Sequence, residues 1–211
     1  MHRVRPVVIA AFLALVLNVA PQAADLTTWS VTTSAGQVLV SGDGIERVSL
    51  RQGQEVAPGS RIRTLDDGRA VLQRGTDVIT LRPNTEIVIP AAQPEFATRL
   101  IQTIGDAIYE VTRGPAPHFE VDTPYLAAVV KGTRFAVSSD SSGSSVHVLD
   151  GRVLVRNVGD GSSAMVETGR TGRVRPIPGY GVQIDSRIGG GTGNDRSGPG
   201  NAGRSGGGGE P

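Results

Sequence analysis

The chain has 211 residues, a formal net charge of +1, no cysteine, 29 glycines, 13 prolines, four Phe, three Tyr and one Trp. Without cysteine there is no disulfide scaffold, thiolate zinc site, thiol nucleophile or lipid-bearing cysteine. A charge this near zero argues against nucleic-acid binding through a general basic surface, and 38% hydrophobic content suits one core rather than two.

Residues 1–23 have the three parts of a secretion signal. His2, Arg3 and Arg5 lead, an apolar run follows, and Pro21-Gln22-Ala23-Ala24-Asp25 offers cleavage after Ala23 or Ala24. The apolar stretch over residues 7–20 has 14 residues. A helix that spans a bilayer needs about 20, so the sequence predicts a cleaved signal, with no transmembrane segment after cleavage, rather than a retained anchor. Losing Arg3 and Arg5 changes the net charge from +1 to −1, so the exported protein is nearly neutral.

From residue 24 onward the apolar pattern has period two, the spacing that puts alternate side chains on one face of a strand. Residues 24–51 form a strand-rich lead-in, with Trp29, Val31, Val38 and Val40 as inward positions. Trp29 is expected in the core rather than as an exposed stacking platform. Val71, Val78, Ile79, Leu81, Ile87 and Ile89 continue the scheme, as do Phe119, Val121, Phe135, Val137, Val146, Val148, Val153 and Val155. Turn residues punctuate it at Gly42-Asp43-Gly44, Asp66-Asp67-Gly68, Pro83-Asn84, Asp150-Gly151 and Asp160-Gly161. Leu100, Ile101, Ile104, Ile108 and Val111 have near-helical spacing, but Gly105 interrupts them, and we expect a strand pair hinged at Gly105-Asp106. The stretch from Val146 to Val155 reads as a hairpin around Asp150-Gly151, and the serine-rich run from Ser138 to Ser145 as a long polar connection. The predicted fold is an all-β, hairpin-rich antiparallel sandwich or β-solenoid-like domain.

Residues 186–211 contain 11 of the 29 glycines and one bulky aliphatic residue, Ile188, too little apolar surface to offset the entropy of ordering. They are expected to be a disordered tail. Gly203-Arg204-Ser205-Gly206-Gly207 fits a nucleophile-elbow pattern and Gly198-Pro199-Gly200-Asn201-Ala202-Gly203 a dinucleotide fingerprint. Each needs a strand, a turn and a helix around it, which this tail does not supply.

Three groups of residues carry a family resemblance when read in order. The first is Arg61-Ile62-Arg63-Thr64, Ala70-Val71-Leu72 and Gly75-Thr76-Asp77-Val78-Ile79-Thr80-Leu81-Arg82-Pro83-Asn84-Thr85-Glu86-Ile87. The second is Phe119-Glu120-Val121-Asp122-Thr123-Pro124. The third is Val130-Lys131-Gly132-Thr133-Arg134-Phe135-Ala136-Val137, with Val148-Leu149-Asp150-Gly151-Arg152-Val153 after it. The succession resembles the FecR domain, the periplasmic portion of regulators of ferric-dicitrate transport, over residues 52–157, with residues 158–185 adding strands to the same unit. Lys131 stands where Arg is commoner and Asp150 where Glu is. The resemblance implies an all-β extracytoplasmic module. Such regulators also have a cytoplasmic anti-sigma segment and one membrane span, for which a signal of about 23 residues leaves no room. The sequence therefore looks like a stand-alone exported form, periplasmic or secreted.

Candidate contact residues are few. Lys131 and Arg134 flank Gly132-Thr133, where Gly permits a bend and Thr bonds a freed amide; the two cations either hold an anion or pair with Asp122 and Glu120. Arg61 and Arg63 flank Ile62 and share the face opposite the core. His118 and His147 have no ligand neighbour in sequence, so neither metal nor cofactor is expected. No nucleophile–base or paired-carboxylate pattern appears, which makes a cell-wall hydrolase the weakest reading. The leading expectation is a non-enzymatic module that binds an envelope protein or cell-wall polymer through a sheet edge or face. The alternative is a periplasmic component of FecR-type signal regulation.

Overall fold

The structure, a computed structural model, describes residues 28–42, 45–92 and 98–185. The secretion signal with its cleavage at Ala23 or Ala24, and the tail over 186–211, lie outside the described residues. The described chain is all-β and has no helix, and so none long and apolar enough to cross a membrane.

The strands form two sheets that share one member. Sheet A runs β4 (Glu55–Val56), β1 (Trp29–Ala35), β6 (Arg69–Arg74), β7 (Asp77–Leu81), the second half of β9 (Thr98–Val111), β12 (Thr133–Asp140), β13 (Gly143–Asp150), β16 (Thr171–Val174) and β17 (Gln183–Asp185). Sheet B runs β3 (Ile45–Ser49), β2 (Val38–Gly42), β5 (Arg61–Thr64), β8 (Glu86–Val88), the first half of β9, β10 (Phe119–Asp122), β11 (Leu126–Val130), β14 (Arg152–Asn157) and β15 (Ser163–Glu167). Neighbours are antiparallel except β9 and β10, which are parallel.

Strand β9 joins the two layers. Leu100 and Gln102 point inward in its first half and Ala107, Tyr109 and Val111 in its second, so the inward parity changes between them. The change falls at Gly105, whose φ is +91°. A methyl group there would lie 2.4 Å from the Asn84 carbonyl oxygen and 2.5 Å from Thr85 Cα, so only glycine lets the strand pass. The hinge thus sits where the sequence puts it, but it bends one 14-residue strand rather than joining two.

The turn signals mark real reversals, though not always hairpins. Asp150-Gly151 is the clearest correction: β13 pairs with β12 and β16, and β14 with β11 and β15, so the two never pair with each other. The chain arches there from sheet A to sheet B, and Val146, Val148, Val153 and Val155 face the core from opposite layers. Asp66-Asp67-Gly68 and Pro83-Asn84 are arches of the same kind, whereas Asp160-Gly161 closes a true hairpin. The serine run is also strand rather than loop. Ser139 and Ser144 are buried with their Oγ atoms 2.9 Å apart, leaving only Ser141 and Ser142 between β12 and β13.

The core fills the space between the layers. Trp29, Tyr109, Phe119 and Phe135 are fully buried, as the reading of Trp29 expects. Tyr109 stacks on Phe135 at 5.3 Å and meets Phe119 edge-on at 6.2 Å. The Arg74 guanidinium lies 4.5 Å from the centre of the Trp29 ring, a cation–π contact that closes the core beside β6. Burial pulls the Arg74 pKa below its ordinary value, while the carboxylate of Asp77, 3.4 Å away, opposes the shift.

Candidate functional site

The Val130-Lys131-Gly132-Thr133-Arg134 segment is the arch from β11 to β12. Gly132 has φ +139°, and a methyl group on it would come within 2.3 Å of Arg113 Cα. Thr133 is buried and donates through Oγ1 to the Arg152 carbonyl at 2.9 Å, tying this arch to the one at Gly151. The Lys131 carbonyl accepts the Gly114 N–H at 2.7 Å while its side chain faces solvent. Arg134 points outward with Nε 3.4 Å from Glu110 Oε1 and with Asp150 as its cross-strand neighbour. Gly132, Thr133 and Arg134, with Thr76, Glu110, Arg113 and Asp150, line an open polar depression of about 390 Å³, which Lys131 does not border.

The expected pairing of Lys131 and Arg134 with Asp122 and Glu120 is not formed. Those carboxylates lie on the outer face of sheet B, where Asp122 Oδ2 is 2.5 Å from Arg99 Nε and Glu120 Oε1 is 3.5 Å from Arg156 Nη2. Arg61 and Arg63 also lie on that face, either side of buried Ile62, as period two requires. Arg61 pairs with Glu86, and Arg63 is in register with Glu86 on one side and Leu39 on the other. Arg134 belongs to the opposite layer. The candidate cations are thereby divided between two surfaces and do not form one site.

A different surface is gathered at the end of the sandwich carrying β15 and β17. An apolar groove of about 510 Å³ lies between Pro124 and Tyr125 of the β10–β11 turn, Val158 of the β14–β15 turn, and the segment Pro176-Ile177-Pro178 after β16. Its walls are tied in place. The Val158 N–H bonds to the Tyr125 carbonyl at 3.0 Å, the Tyr125 hydroxyl donates to the Ser141 carbonyl at 3.3 Å, and the Tyr180 N–H bonds to the Ile177 carbonyl at 3.0 Å. Val158 and Ile177 are nonetheless 58% and 51% exposed and line the same groove, where exposed apolar side chains gathered together mark a contact surface.

Asn157 and Val158 also border a neighbouring depression of about 490 Å³ on the outer face of sheet B, where Ile101 and Ala127 form the floor and Arg99, Asp122 and Arg156 the rim. Partial burial, and next the charge of Asp122, push the Glu120 carboxyl above its ordinary pKa; Arg99 and Arg156 pull it back. This combined apolar and charged surface escapes the sequence reading because its parts come from four turns and strands far apart in the chain. Its only sequence signal is the cluster of Pro124, Pro176, Ile177 and Pro178.

The histidines are accounted for locally. His118 Nδ1 lies 3.0 Å from the Ala116 carbonyl, and His147, half-buried rather than exposed, has Nδ1 2.9 Å from Thr171 Oγ1. Among the described residues no three His, Asp or Glu side chains are gathered as metal ligands.

Two layers joined by arches and one shared, bent strand form a β-sandwich. Residues 60–154 match the FecR protein family, a stretch that runs from the start of β5 into β14. The fold is similar to a candidate anti-sigma factor from Parabacteroides distasonis ATCC 8503, solved at 1.65 Å and at 2.50 Å resolution. Each superposes with a TM-score of 0.52 at 19% identity, covering 59% of this chain and 58% of the other. The chain thus spans little more than half the length of that protein, and the likeness is one of fold. No curated protein matches the sequence.

Proposed function

We propose that this chain is an exported, non-enzymatic component of FecR-type signal regulation, which binds another envelope protein at the groove beside Tyr125 and Ile177. The match of residues 60–154 to the FecR family carries the reading, and the fold of the candidate anti-sigma factor supports it. The groove supports the binding half: it is preformed, apolar at its centre and charged at its rim, the anatomy of a protein-binding surface. Regulation then passes through a separate membrane-spanning partner, with this chain as the extracytoplasmic member.

The test is genetic and chemical together. Deleting the gene is expected to change transcription of one set of genes controlled by an alternative sigma factor. In-cell crosslinking of the tagged chain is expected to capture one dominant envelope protein. Val158→Asp and Ile177→Arg should reproduce the deletion while the purified variants keep a wild-type circular dichroism spectrum, since both side chains are already more than half exposed. A deletion that leaves transcription unchanged, or capture of cell-wall polymer in place of a protein, overturns the proposal.

A further inference from the structure

At the end of the sandwich that carries the groove, sheet A ends in the three-residue β17 and sheet B in the five-residue β15. Among the described residues β15 pairs with β14 and with nothing on its other side. At the opposite end sheet A ends in the two-residue β4, which pairs with β1, and sheet B in β3, which pairs with β2 and carries Glu46 and Arg47. β15 has few of the devices that usually blunt an edge: Ser163-Ala164-Met165-Val166-Glu167 contains no Pro, Lys or bulge, and its one charge, Glu167, is at the strand end.

The ladder decides which peptide groups point outward. The Asn157 N–H bonds to the Ser162 carbonyl at 2.8 Å, so hydrogen-bonded pairs recur every second residue, at Ala164 and Val166. Ser163 and Met165 therefore turn their N–H and C=O groups toward the open side, as Glu167 does its N–H, while the Glu167 carbonyl accepts the Arg170 N–H at 3.0 Å. Their side chains lie on the outer face of sheet B, where Met165, 51% exposed, is in register with Leu154, 38% exposed, and Leu154 with Val129.

We propose that β15 pairs antiparallel with β15 of a second copy of this chain, about a twofold axis at Met165. This register is favoured by charge, by the ladder and by length, since centring on Ser163 would set Met165 against Gly161 of the turn, outside the strand. Centring on Met165 sets Ser163 opposite Glu167 and Ala164 opposite Val166 of the other copy, with Met165 against Met165. Centring on Glu167 would oppose two carboxylates, and centring on Ala164 or Val166 would oppose residues whose peptide groups face β14. In the Met165 register Glu167 lies between Arg152 of its own β14 and Ser163 of the second copy, which is in turn in register with that copy's Arg156, so no like charges meet. Val129, Leu154 and Met165 join their symmetry mates in one apolar row across the joined sheet. Each copy offers the same patch, as a closed twofold dimer requires.

The chain has no cysteine, so a single introduced thiol reports the register. In a hydrogen-bonded antiparallel pair the Cα atoms are about 5.5 Å apart, within the roughly 4.4–6.8 Å span of a disulfide. Met165→Cys is expected to give a disulfide-linked dimer on mild oxidation. Ser163→Cys should not crosslink to itself, because its mates lie four residues apart, roughly 13 Å along the strand. A mixture of Ser163→Cys and Glu167→Cys chains should crosslink.

Sedimentation velocity of the purified full chain should show a concentration-dependent dimer. Met165→Lys, a change at an exposed position, should abolish it without altering the thermal melt, whereas Val48→Lys at the opposite end should not. A chain that stays monomeric at every concentration, a dimer that survives Met165→Lys, or self-crosslinking of Ser163→Cys as ready as that of Met165→Cys would overturn the proposal.

Discussion

Tyr109 donates its hydroxyl to Gln102 Oε1 at 3.0 Å inside the core, although the two residues sit in halves of β9 that belong to different sheets. Gln102 completes the arrangement by donating through Nε2 to the Gly105 carbonyl at 2.7 Å and the Val137 carbonyl at 3.1 Å. A fully buried amide is tolerable only because each of its polar atoms is paired. Burial pushes the Tyr109 pKa far above its ordinary value, so its hydroxyl remains a neutral donor. The bend of β9 is held by this side-chain lock as well as by backbone.

Removing the hydroxyl while keeping the ring tests the lock. Tyr109→Phe retains the contacts with Phe119 and Phe135 but leaves Gln102 Oε1 without its donor. The expected loss is about 1–3 kcal/mol of unfolding free energy, measured by denaturant titration. A loss near zero would mean that the amide finds another partner.

Gly105→Ala strikes the same bend through the backbone. The substitution combines φ +91° with a methyl group 2.4 Å from the Asn84 carbonyl oxygen and 2.5 Å from Thr85 Cα. Thr85 cannot easily yield, because its Oγ1 both donates to the Asp106 carbonyl and accepts the Asp106 N–H, each at 2.9 Å. We expect a larger loss than for Tyr109→Phe, with a poorly folded product by circular dichroism.

A pair of glycines separates backbone strain from steric conflict. Gly75 and Gly132 both have positive φ, +57° and +139°, yet a methyl group on Gly75 meets nothing within 4 Å whereas one on Gly132 lies 2.3 Å from Arg113 Cα. Gly75→Ala should lose about 1–2 kcal/mol, the left-handed penalty alone. Gly132→Ala should lose clearly more, and comparing their melting temperatures checks the order.

Glu120 supplies a pH dependence. Its carboxyl pKa is raised by partial burial and then by Asp122, so its contribution to stability is present at low pH and is lost as pH rises through the raised value. Arg156 opposes the shift. Arg156→Gln should therefore raise the Glu120 pKa further, seen by NMR titration of its carboxyl carbon. The variant should also be less stable than wild type above that range and equal to it at low pH, where Glu120 is protonated in folded and unfolded chains alike.

How much of this was legible in the sequence depends on the range over which each feature is decided. Alternation around Ile62, Val121 and Val137 is local, because successive side chains of a strand point to opposite faces, and these residues are buried where period two places them. The bend at Gly105 was legible for the same reason: a glycine interrupting an apolar run marks a backbone that has to do something unusual. Asp150-Gly151 shows the limit. A positive φ is needed at Gly151 whether the chain folds back beside itself or arches over to the other layer, so turn chemistry is silent on the choice. That choice is made by which strands are free to pair, and β13 finds β12 and β16 while β14 finds β11 and β15.

The candidate surface lies further still from local rules. Arg134 and Arg63 sit in similar sequence contexts, yet the arches carry them to opposite layers. Pro124, Val158 and Ile177, spread over more than 50 residues of chain, meet in one groove because three turns converge at one end of the sandwich. The sequence by itself determined the strands, their inward faces and the positions of reversal, since each follows from side-chain alternation and backbone sterics within a few residues. Only the tertiary structure decided which reversals are arches, which cations share a face and which strands become sheet edges, since these depend on pairing between strands distant in the chain.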